Sequence, residues 1–363
     1  AWQRRGTGSG IPGVQATRKE HESMQIVVTI IAFAFSFTLA TLFHEGGHML
    51  AARASHTQTE EFGLGFGRTV WSRTRGGTVY KINALPILAY VKIKGMESDY
   101  DAPDGFYRKG WWARLFTMVG GMLGNLVLAF LIFSIVFATL GDPRASTKVG
   151  TVTPGSVAEA AGLQAGDNIL SIDGVPMKDF DQISSVVRSS ENHQLDILVD
   201  RQGTQVHVVV TPKMDADLGY VAIGYSPGFV RYNPLLAVWR ALLFTGEYVF
   251  TYIKALPMLF TKAGVQSLTG PIGIARMTGE AAMGGFMSLL WLTGIISVAI
   301  GLTQLLPIPA LDGGWVLFLL VEAVARRRIP PERQGAIQSV GLMVLLGIMV
   351  LISIKDAAGW FLH

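Results

Sequence analysis

Four long apolar stretches divide the chain, and each is long enough to cross a bilayer as a helix, which takes about 20 residues. The first covers residues 24–43 and the second covers residues 115–140; neither carries a charge. The third covers residues 286–311, is also uncharged, and stops just before Asp312. The fourth covers residues 334–354. The pattern therefore predicts an α-helical membrane protein with about four transmembrane helices.

Two further segments show other patterns. Residues 229–262 are apolar but interrupted by charge, which indicates an amphipathic helix, or two, on the membrane interface; the charged residues are Arg231, Arg240, Glu247, Lys254 and Lys262. Residues 1–23 are polar and glycine-rich, which predicts a flexible tail. The apolar stretch after this tail is too long for a signal peptide and leads into HEGGH, so we interpret it as a membrane helix.

Residues 142–228 are predicted to form a separate domain between the membrane halves 24–141 and 263–363. Short strand-like runs alternate with turn signals over residues 148–214, and a polar helix is expected near residues 179–190. Asp173–Gly174 and Gln202–Gly203 are turn-forming pairs between strands. The insert therefore reads as a small α+β domain.

Composition supports a membrane protein with a polar insert. Half of the residues are hydrophobic and only 15% are charged, whereas about a quarter are charged in an ordinary soluble domain. The absence of cysteine excludes a thiol nucleophile, a thiolate metal site and a disulfide-stapled fold. The net charge is a modest +4, and no basic cluster alternates with aromatic residues along the chain, which argues against nucleic acid as a partner.

Orientation is predicted from Lys and Arg near the membrane ends, which favour the cytoplasmic side. Residues 51–114 are rich in both, and residues 325–333 contain Arg326, Arg327, Arg328 and Arg333. Four spans place these two segments on the same side, so both are expected in the cytoplasm and residues 142–228 outside it. Arg4, Arg5, Arg18 and Lys19 in the tail argue weakly for the opposite orientation.

The end of the first span carries the sequence His44-Glu45-Gly-Gly-His48. Residues i and i+4 share a helix face, so both imidazoles can reach one metal ion. Zinc accepts neutral imidazole, and the glutamate between them is placed to act as a base on water. The alternative is a pair of interfacial histidines that reach with Glu45 toward lipid headgroups. Ionisable groups at membrane depth are costly, which favours the metal site.

A catalytic zinc site takes a third protein ligand. No other histidine lies in a predicted span, since His21, His56, His193, His207 and His363 all fall elsewhere. The candidate is Asp312 in the sequence LLPIPALDGG, where Pro307 and Pro309 break the helix and the two glycines allow close backbone approach. The alternative is an aspartate that ends a helix at the interface.

Together, HEGGH and LLPIPALDGG resemble the site-2 protease family of intramembrane zinc metalloproteases. Three other segments agree: FGLGFG at 62–67 and its continuation to 95 resemble the family's membrane-associated β-hairpin, GMLGN at 121–125 resembles its G-P-x-x-N motif, and GPIGIA at 270–275 resembles a further family segment. The resemblance covers residues 24–360. It is strongest to the bacterial regulator-of-sigma-E protease type, which carries a PDZ domain outside the cytoplasm.

The resemblance implies a set of roles. His44, His48 and Asp312 would hold Zn²⁺, and Glu45 would be the general base. Asn125 and Gln304 are candidates for polar contacts to the substrate backbone or to the charge that develops in the reaction. Substrates would be single-span membrane proteins, such as a trimmed anti-sigma factor or a remnant signal peptide, cut in the bacterial inner membrane. The chain departs from the family at Gln304, where asparagine is usual, at Met122, where proline is usual, and at 88–89, where Gly-Gly is frequent.

The insert and the hairpin each leave two interpretations open. AAGLQAGDNILSIDG at 160–174 resembles a PDZ domain, which binds extended peptide by strand addition; the alternative is a steric gate. The hairpin offers a strand edge beside the metal to an unwound substrate; the alternative is that it only packs under the membrane helices. An inactive scaffold and a metal transporter are rival functions, although the chain shows no internal repeat of the transporter kind.

Overall fold

The computed structural model describes residues 12–215, 220–261, 264 and 269–361. Helix α1 (Pro12–Ala54) is followed by strands β1 (Thr59–Arg75) and β2 (Thr78–Ile93), a short 3-10 turn at Phe106–Arg108 and helix α2 (Trp111–Thr139). After the insert come α5 (Pro234–Ala255), a 3-10 turn (Leu256–Phe260), α6 (Pro271–Met283), α7 (Phe286–Gln304), α8 (Asp312–Ala325) and α9 (Pro331–Phe361).

Four helices among these residues are long and apolar enough to cross a membrane. They lie at Ser23–Ala54, Trp111–Thr139, Phe286–Gln304 and Pro331–Asp356, which confirms the four stretches expected from the sequence. Helix α1 begins at Pro12, inside the segment for which a flexible tail was expected. Residues 1–11 of that segment lie outside the described residues.

The third apolar stretch is shorter as a helix than its sequence suggests. Helix α7 ends at Gln304, and residues 305–311 form an irregular loop before α8 begins at Asp312. Pro307 and Pro309 lack the backbone N–H that a helix needs, so the chain turns here. The sequence had placed Asp312 at the end of a span; the structure places it in the first turn of a separate helix, which the sequence pattern did not predict.

The hairpin bends over itself into four strand segments. Residues 61–64 of β1 pair with 89–92 of β2 on one side and with 79–82 on the other, while 69–75 of β1 pair with 78–83. The segments therefore lie in the order 89–93, 59–64, 78–83, 69–75, with the first and last at the edges. Strand β1 bends at Gly65 and Gly67, whose φ angles of +84° and +88° suit glycine.

The chain forms two compact units, one made of Ala1–Phe133 with Leu243–His363 and one made of Ser134–Leu242. The second unit contains β3 (Val149–Val152), α3 (Val157–Ala160), β4 (Asn168–Ile172), β5 (Val175–Pro176), α4 (Phe180–Ser189), β6 (Leu195–Arg201), β7 (Thr204–Val210), β8 (Lys213–Asp215), β9 (Tyr220–Ala222) and β10 (Tyr225–Pro227). Strands β5, β4, β6 and β7 form one antiparallel sheet in that order, and β3 pairs with β10.

The second unit has its own core, and its turns follow the sequence. Ile183 and Val187 share one face of α4 and belong to one buried cluster with Ile197 and Val199 of β6. The predicted turns at Asp173–Gly174 and Gln202–Gly203 have positive φ angles at all four residues. The chain enters and leaves this unit side by side, since Asp142 and Val230 exchange backbone hydrogen bonds of 2.9 and 3.0 Å.

Candidate metal centre and active site

Three side chains from two distant parts of the sequence meet in the first unit. The Nε2 atoms of His44 and His48 lie 3.2 Å apart, and each lies 3.1 Å from Oδ2 of Asp312. Both histidines are buried, and the Asp312 side chain is 19% exposed. The first unit therefore brings together the three residues that the sequence proposed as ligands.

The donor atoms have the spacing of a tetrahedral metal site. Ligand atoms around one tetrahedral zinc ion lie about 3.3 Å apart, given bonds of about 2.0–2.1 Å. The observed separations of 3.1–3.2 Å are close to that value. Two imidazole nitrogens and one carboxylate oxygen are also a common donor set for catalytic zinc, which leaves a position for water. The residues present therefore fit one zinc ion.

Each histidine is oriented by a partner at its other nitrogen. His48 Nδ1 lies 2.8 Å from the Thr117 carbonyl oxygen, which can only accept, so Nδ1 carries the proton and Nε2 presents its lone pair. The Asn125 amide lies 3.3 Å from His44 Nδ1. Its nitrogen can donate to Ala40 O at 2.8 Å while its oxygen faces Gly301 N and the imidazole. Such partners fix the ring and its tautomer for metal binding.

Asn125 and Gln304 differ in what they offer a substrate. Asn125 is fully buried, and its amide contacts groups inside the protein, among them His44. This position indicates a residue that orients His44, and a contact between Asn125 and substrate stays a prediction. Gln304 is half-buried at the end of α7, and its side chain makes no hydrogen bond to any residue within the described ranges. A substrate contact by Gln304 stays a prediction.

Glycines allow helices α1 and α2 to pack closely around the site. A Cβ built on Gly121 would lie 2.4 Å from His48 Nε2 and 2.8 Å from His44 Nε2, so a side chain there would enter the donor cluster. A Cβ on Gly47 would meet the Gly120 carbonyl oxygen at 2.1 Å, and one on Gly124 would meet the Phe43 oxygen at 2.0 Å. Small residues let membrane helices approach closely, and here they bring α2 against the HEGGH turn.

Contacts in the loop before Asp312 and in helix α8 after it fix the position of Asp312. In the loop, the backbone N of Ala310 donates to the Gln338 side chain of α9, and the φ of Ala310 is +82°. Further along α8, buried Glu322 pairs with Arg114 at 2.5 Å and accepts from Gln334 at 3.0 Å. Helix α8 is thereby tied to α2 and α9. Breaking one partner of a buried ion pair costs about 3–5 kcal/mol, so this network is a strong constraint on where α8 lies.

Glu45 is engaged by the hairpin. Its Oε2 accepts a hydrogen bond from Val91 N at 3.1 Å. The Thr41 hydroxyl accepts from Ala89 N at 3.0 Å, and the Thr38 hydroxyl accepts from Leu88 N at 3.2 Å. The edge strand 88–91 thus lies along the active-site face of α1 with these backbone donors already bonded. An open edge beside the metal was one of the two interpretations of the hairpin; in this structure those three N–H groups are occupied by α1 side chains.

Comparison with known proteins shows the family to which this chain belongs. The sequence profile of Peptidase family M50 matches residues 32–348. The chain belongs to peptidase family M50. The M50 peptidase is 33% identical over 336 residues to a protein of Clostridium acetobutylicum that is provisionally named a zinc metalloprotease, covering 91% of this chain and 96% of that one. It is 30% identical over 379 residues to Metalloprotease MmpA of Caulobacter vibrioides, covering 91% and 95%.

Solved structures match part of this M50 peptidase. A PDZ domain of an SdrC-like protein from Listeria monocytogenes covers 24% of this chain and 93% of its own length, at 21% identity and a TM-score of 0.21. A Geobacillus thermodenitrificans domain covers 23% of this chain at 27% identity and a TM-score of 0.20. The family match confirms the resemblance noted from the motifs: the chain is a zinc metalloprotease with zinc as its cofactor.

Some site features gave no signal in the sequence. Thr117 acts through its carbonyl oxygen, which every residue type carries, so its identity could not reveal the contact with His48. The roles of Thr38 and Thr41 depend on where β2 lies against α1. Gly121 was visible within the GMLGN motif, but its closeness to the imidazoles follows only from helix packing.

Replacing Asp312 with asparagine is expected to weaken zinc binding. An amide is a poorer zinc ligand than a carboxylate, so we expect affinity to fall by at least about 100-fold, beyond the usual effect of losing a supporting partner. Zinc content after dialysis against a graded chelator measures this. Asp104→Asn is the matched control, because Asp104 is exposed on the loop before α2. Equal zinc retention in both variants would remove Asp312 from the ligand set.

Proposed function

We propose that this chain is an intramembrane protease that cuts within the transmembrane segment of single-span membrane proteins. The observation that carries this proposal is the position of the donor cluster: His44 and His48 lie in α1, the first apolar helix, and Asp312 follows α7, the third. A protease whose two histidine ligands lie on an apolar helix of spanning length, with its aspartate ligand just after another, can act on a peptide bond at membrane depth.

The residues of the site have distinct roles in the proposed reaction. His44, His48 and Asp312 would hold zinc, which supplies Lewis acidity that lowers the pKa of water and polarises a carbonyl. Glu45 accepts the proton of the attacking water and delivers it to the leaving nitrogen. Thr117 and Asn125 keep the two imidazoles in the tautomer that leaves Nε2 free.

Substrate access requires a change at the hairpin. A helical peptide bond is hidden in its own hydrogen-bond ladder, so a substrate must be unwound and given new backbone partners. The edge strand 88–91 can supply them once its N–H groups part from Thr38, Thr41 and Glu45. The same movement frees the Glu45 carboxylate for proton transfer. The proposed resting state therefore couples substrate entry to release of the base.

We assign the second unit a role in substrate selection. Its sequence resembles a PDZ domain, and a cavity of about 650 Å³ lies between α4 and the strand residues 220–227. Ile183 and Val187 line it from α4, and the Arg188 guanidinium stacks 4.2 Å from the Tyr220 ring at its side. A helix beside a strand is the arrangement that accepts an added peptide strand. On the proposed orientation residues 142–228 lie outside the cytoplasm of a bacterial inner membrane, and residues 229–262 lie at the interface.

Cleavage of single-span test substrates by the detergent-purified protein tests the proposed function. The substrates are a panel of signal-peptide remnants and trimmed anti-sigma factors, and the products are mapped by mass. We expect cuts inside the apolar segment that stop when zinc is chelated. Cuts confined to polar flanking regions would contradict intramembrane proteolysis, although the chain would still be a zinc protease.

Excising residues 144–228, the greater part of the second unit, tests the separation of that unit from the metal centre. Asp142 and Val230 lie side by side, so a short glycine-serine linker can replace residues 144–228. Every residue of the donor cluster lies in the first unit, so zinc content is expected to stay unchanged while the relative rates across the substrate panel shift. Loss of zinc would contradict the separation, and an unchanged substrate ranking would contradict a role in selection.

A further inference from the structure

A polar cavity of about 700 Å³ lies at the end of α1, on the hairpin segment that is most distant from the metal centre in strand order. It is lined by Arg53, Trp71, Arg73, Arg75, Gly76 and Tyr80. None of these residues has a part in the proposed reaction. The sequence showed only that residues 51–114 are rich in Lys and Arg, whereas the fold gathers Arg53, Arg73 and Arg75 around one cavity.

The sheet geometry explains how the cavity forms. Trp71, Arg73 and Arg75 alternate along β1, so their side chains share one face of the sheet. Arg73 pairs directly with Tyr80 across the two strands. The turn at Gly76–Gly77, with φ angles of +58° and +80°, closes the hairpin immediately after Arg75. Arg53, in the last turn of α1, completes the ring of three guanidinium groups.

Arg53 is fixed in place without losing its charge. Its Nη2 donates to the Thr78 hydroxyl at 3.2 Å and to the Tyr80 hydroxyl at 2.5 Å. The guanidinium also lies 5.8 Å from the centre of the Tyr80 ring. These partners are neutral, so they orient the guanidinium and leave its positive charge uncompensated.

The other arginines of the cavity are also uncompensated, in contrast to the lysines of the same sheet. Lys81 pairs with Glu61 at 2.8 Å and Lys92 pairs with Glu60 at 3.2 Å. Within the described part of the chain, Arg53, Arg73 and Arg75 have no carboxylate within 4.0 Å. Three unpaired guanidinium groups around one concavity are suited to an oxyanion, because the planar fork of arginine matches phosphate oxygens in pairs.

The residues around this cavity are of the kinds that lie at a membrane surface. Arg53 lies in the last turn of a helix of spanning length that ends at Ala54. Trp71 is 47% exposed beside the arginines, and Phe66 and Val70 of the same strand are also exposed. Tryptophan prefers the headgroup level of a bilayer, and basic pockets next to spanning helices take up anionic headgroups.

We propose that this cavity binds the phosphate of an anionic phospholipid headgroup and so seats the far edge of the hairpin on the bilayer surface. The ligand chemistry is a phosphate oxyanion bonded by Arg53, Arg73 and Arg75. Trp71 and Tyr80 pack beside the headgroup. The proposal does not depend on zinc or on the proposed protease reaction, because none of these residues contacts the donor cluster.

Lipid binding to the detergent-purified full-length protein tests the proposal. Native mass spectrometry compares the affinities for phosphatidylglycerol and phosphatidylcholine in the wild type and in Arg73→Gln/Arg75→Gln. We expect the wild type to bind phosphatidylglycerol more tightly than phosphatidylcholine. The double substitution is expected to lower the affinity for phosphatidylglycerol by about 10- to 30-fold, given the usual strength of attraction per basic residue. Arg68→Gln/Arg327→Gln is the charge-matched control, since both residues are exposed and lie outside the cavity.

The remaining outcomes decide the source of the phosphate. Millimolar inorganic phosphate should displace phosphatidylglycerol from the wild type and from the control variant but not from the cavity variant. This result would support the oxyanion site. Binding of inorganic phosphate without any phosphatidylglycerol preference would overturn the lipid assignment. Equal weakening in the cavity variant and the control would show general charge attraction and overturn the site. Unchanged thermal unfolding of the double variant is required as a check that it folds.

Discussion

Glu45→Gln is expected to lower the rate of substrate cleavage by about 100- to 10,000-fold, the range that a general base contributes. Glutamine keeps the size of the side chain but cannot accept a proton from water. The two histidines and Asp312 are unchanged, so zinc content is expected to equal that of the wild type. Initial rates on one single-span substrate, measured beside the metal content of each sample, check both expectations.

The control for this variant is Glu97→Gln, which removes a carboxylate from an exposed loop residue after the hairpin. It is expected to cleave at the wild-type rate. A Glu45→Gln variant that retained zinc and cleaved at more than a tenth of the wild-type rate would exclude Glu45 as the base. Loss of zinc in this variant would instead indicate that Glu45 supports the metal centre.

Gly121→Ala is expected to weaken zinc binding strongly and to lower activity with it. The added Cβ would lie 2.4 Å from His48 Nε2 and 2.6 Å from His44 Cε1, so the imidazoles or α2 would have to move. Both rings are held at their Nδ1 atoms and packed in a buried site, which leaves little room to adjust. We expect zinc affinity to fall by more than about 100-fold, above the usual effect of altering a supporting partner.

Gly46→Ala is the matched control, because a Cβ on this neighbouring glycine of HEGGH meets nothing within 4 Å. It removes a helix glycine in the same way, so it separates the effect on the site from the effect on helix propensity. Zinc content and thermal unfolding of both variants give the comparison. Full zinc content in Gly121→Ala would contradict the close approach of α2 to the imidazoles.

Local spacing explains why much of this site was predictable from the sequence. Helix periodicity alone places His44 and His48 on one face, and the prolines of LLPIPALDGG indicate that the third apolar helix ends before Asp312. The cost of ionisable residues at membrane depth then suggests that these groups act together. The described structure brings the three donor atoms within 3.2 Å of one another, as that reasoning required.

Features that depend on packing were not predictable in the same way. Asn125 was a candidate for substrate contact through the resemblance of GMLGN to the family motif, and its contact with His44 follows only from how α2 packs against α1. The start of α8 at Asp312 and the folding of the hairpin into four segments depend on contacts between distant elements. The occupied edge at 88–91 likewise follows from how β2 lies against α1.

The hairpin links the two proposals made for this protein. One of its edges bonds to α1 beside the metal cluster, and its other edge carries Arg73 and Arg75 of the arginine cavity. A headgroup that holds the far edge would leave the near edge as the part that moves when a substrate enters. Both edges belong to the same sheet, so lipid composition is expected to influence the rate of substrate entry.

The central claim is that one zinc ion, held by His44, His48 and Asp312, is required for cleavage within a membrane span. The most direct test is a zinc titration of chelator-treated protein, with cleavage of one single-span substrate measured at each step. We predict that activity is absent without zinc, rises in proportion to added zinc, and saturates at one equivalent per chain. Cleavage that persists in zinc-free protein, or that saturates only at two or more equivalents, would contradict the claim.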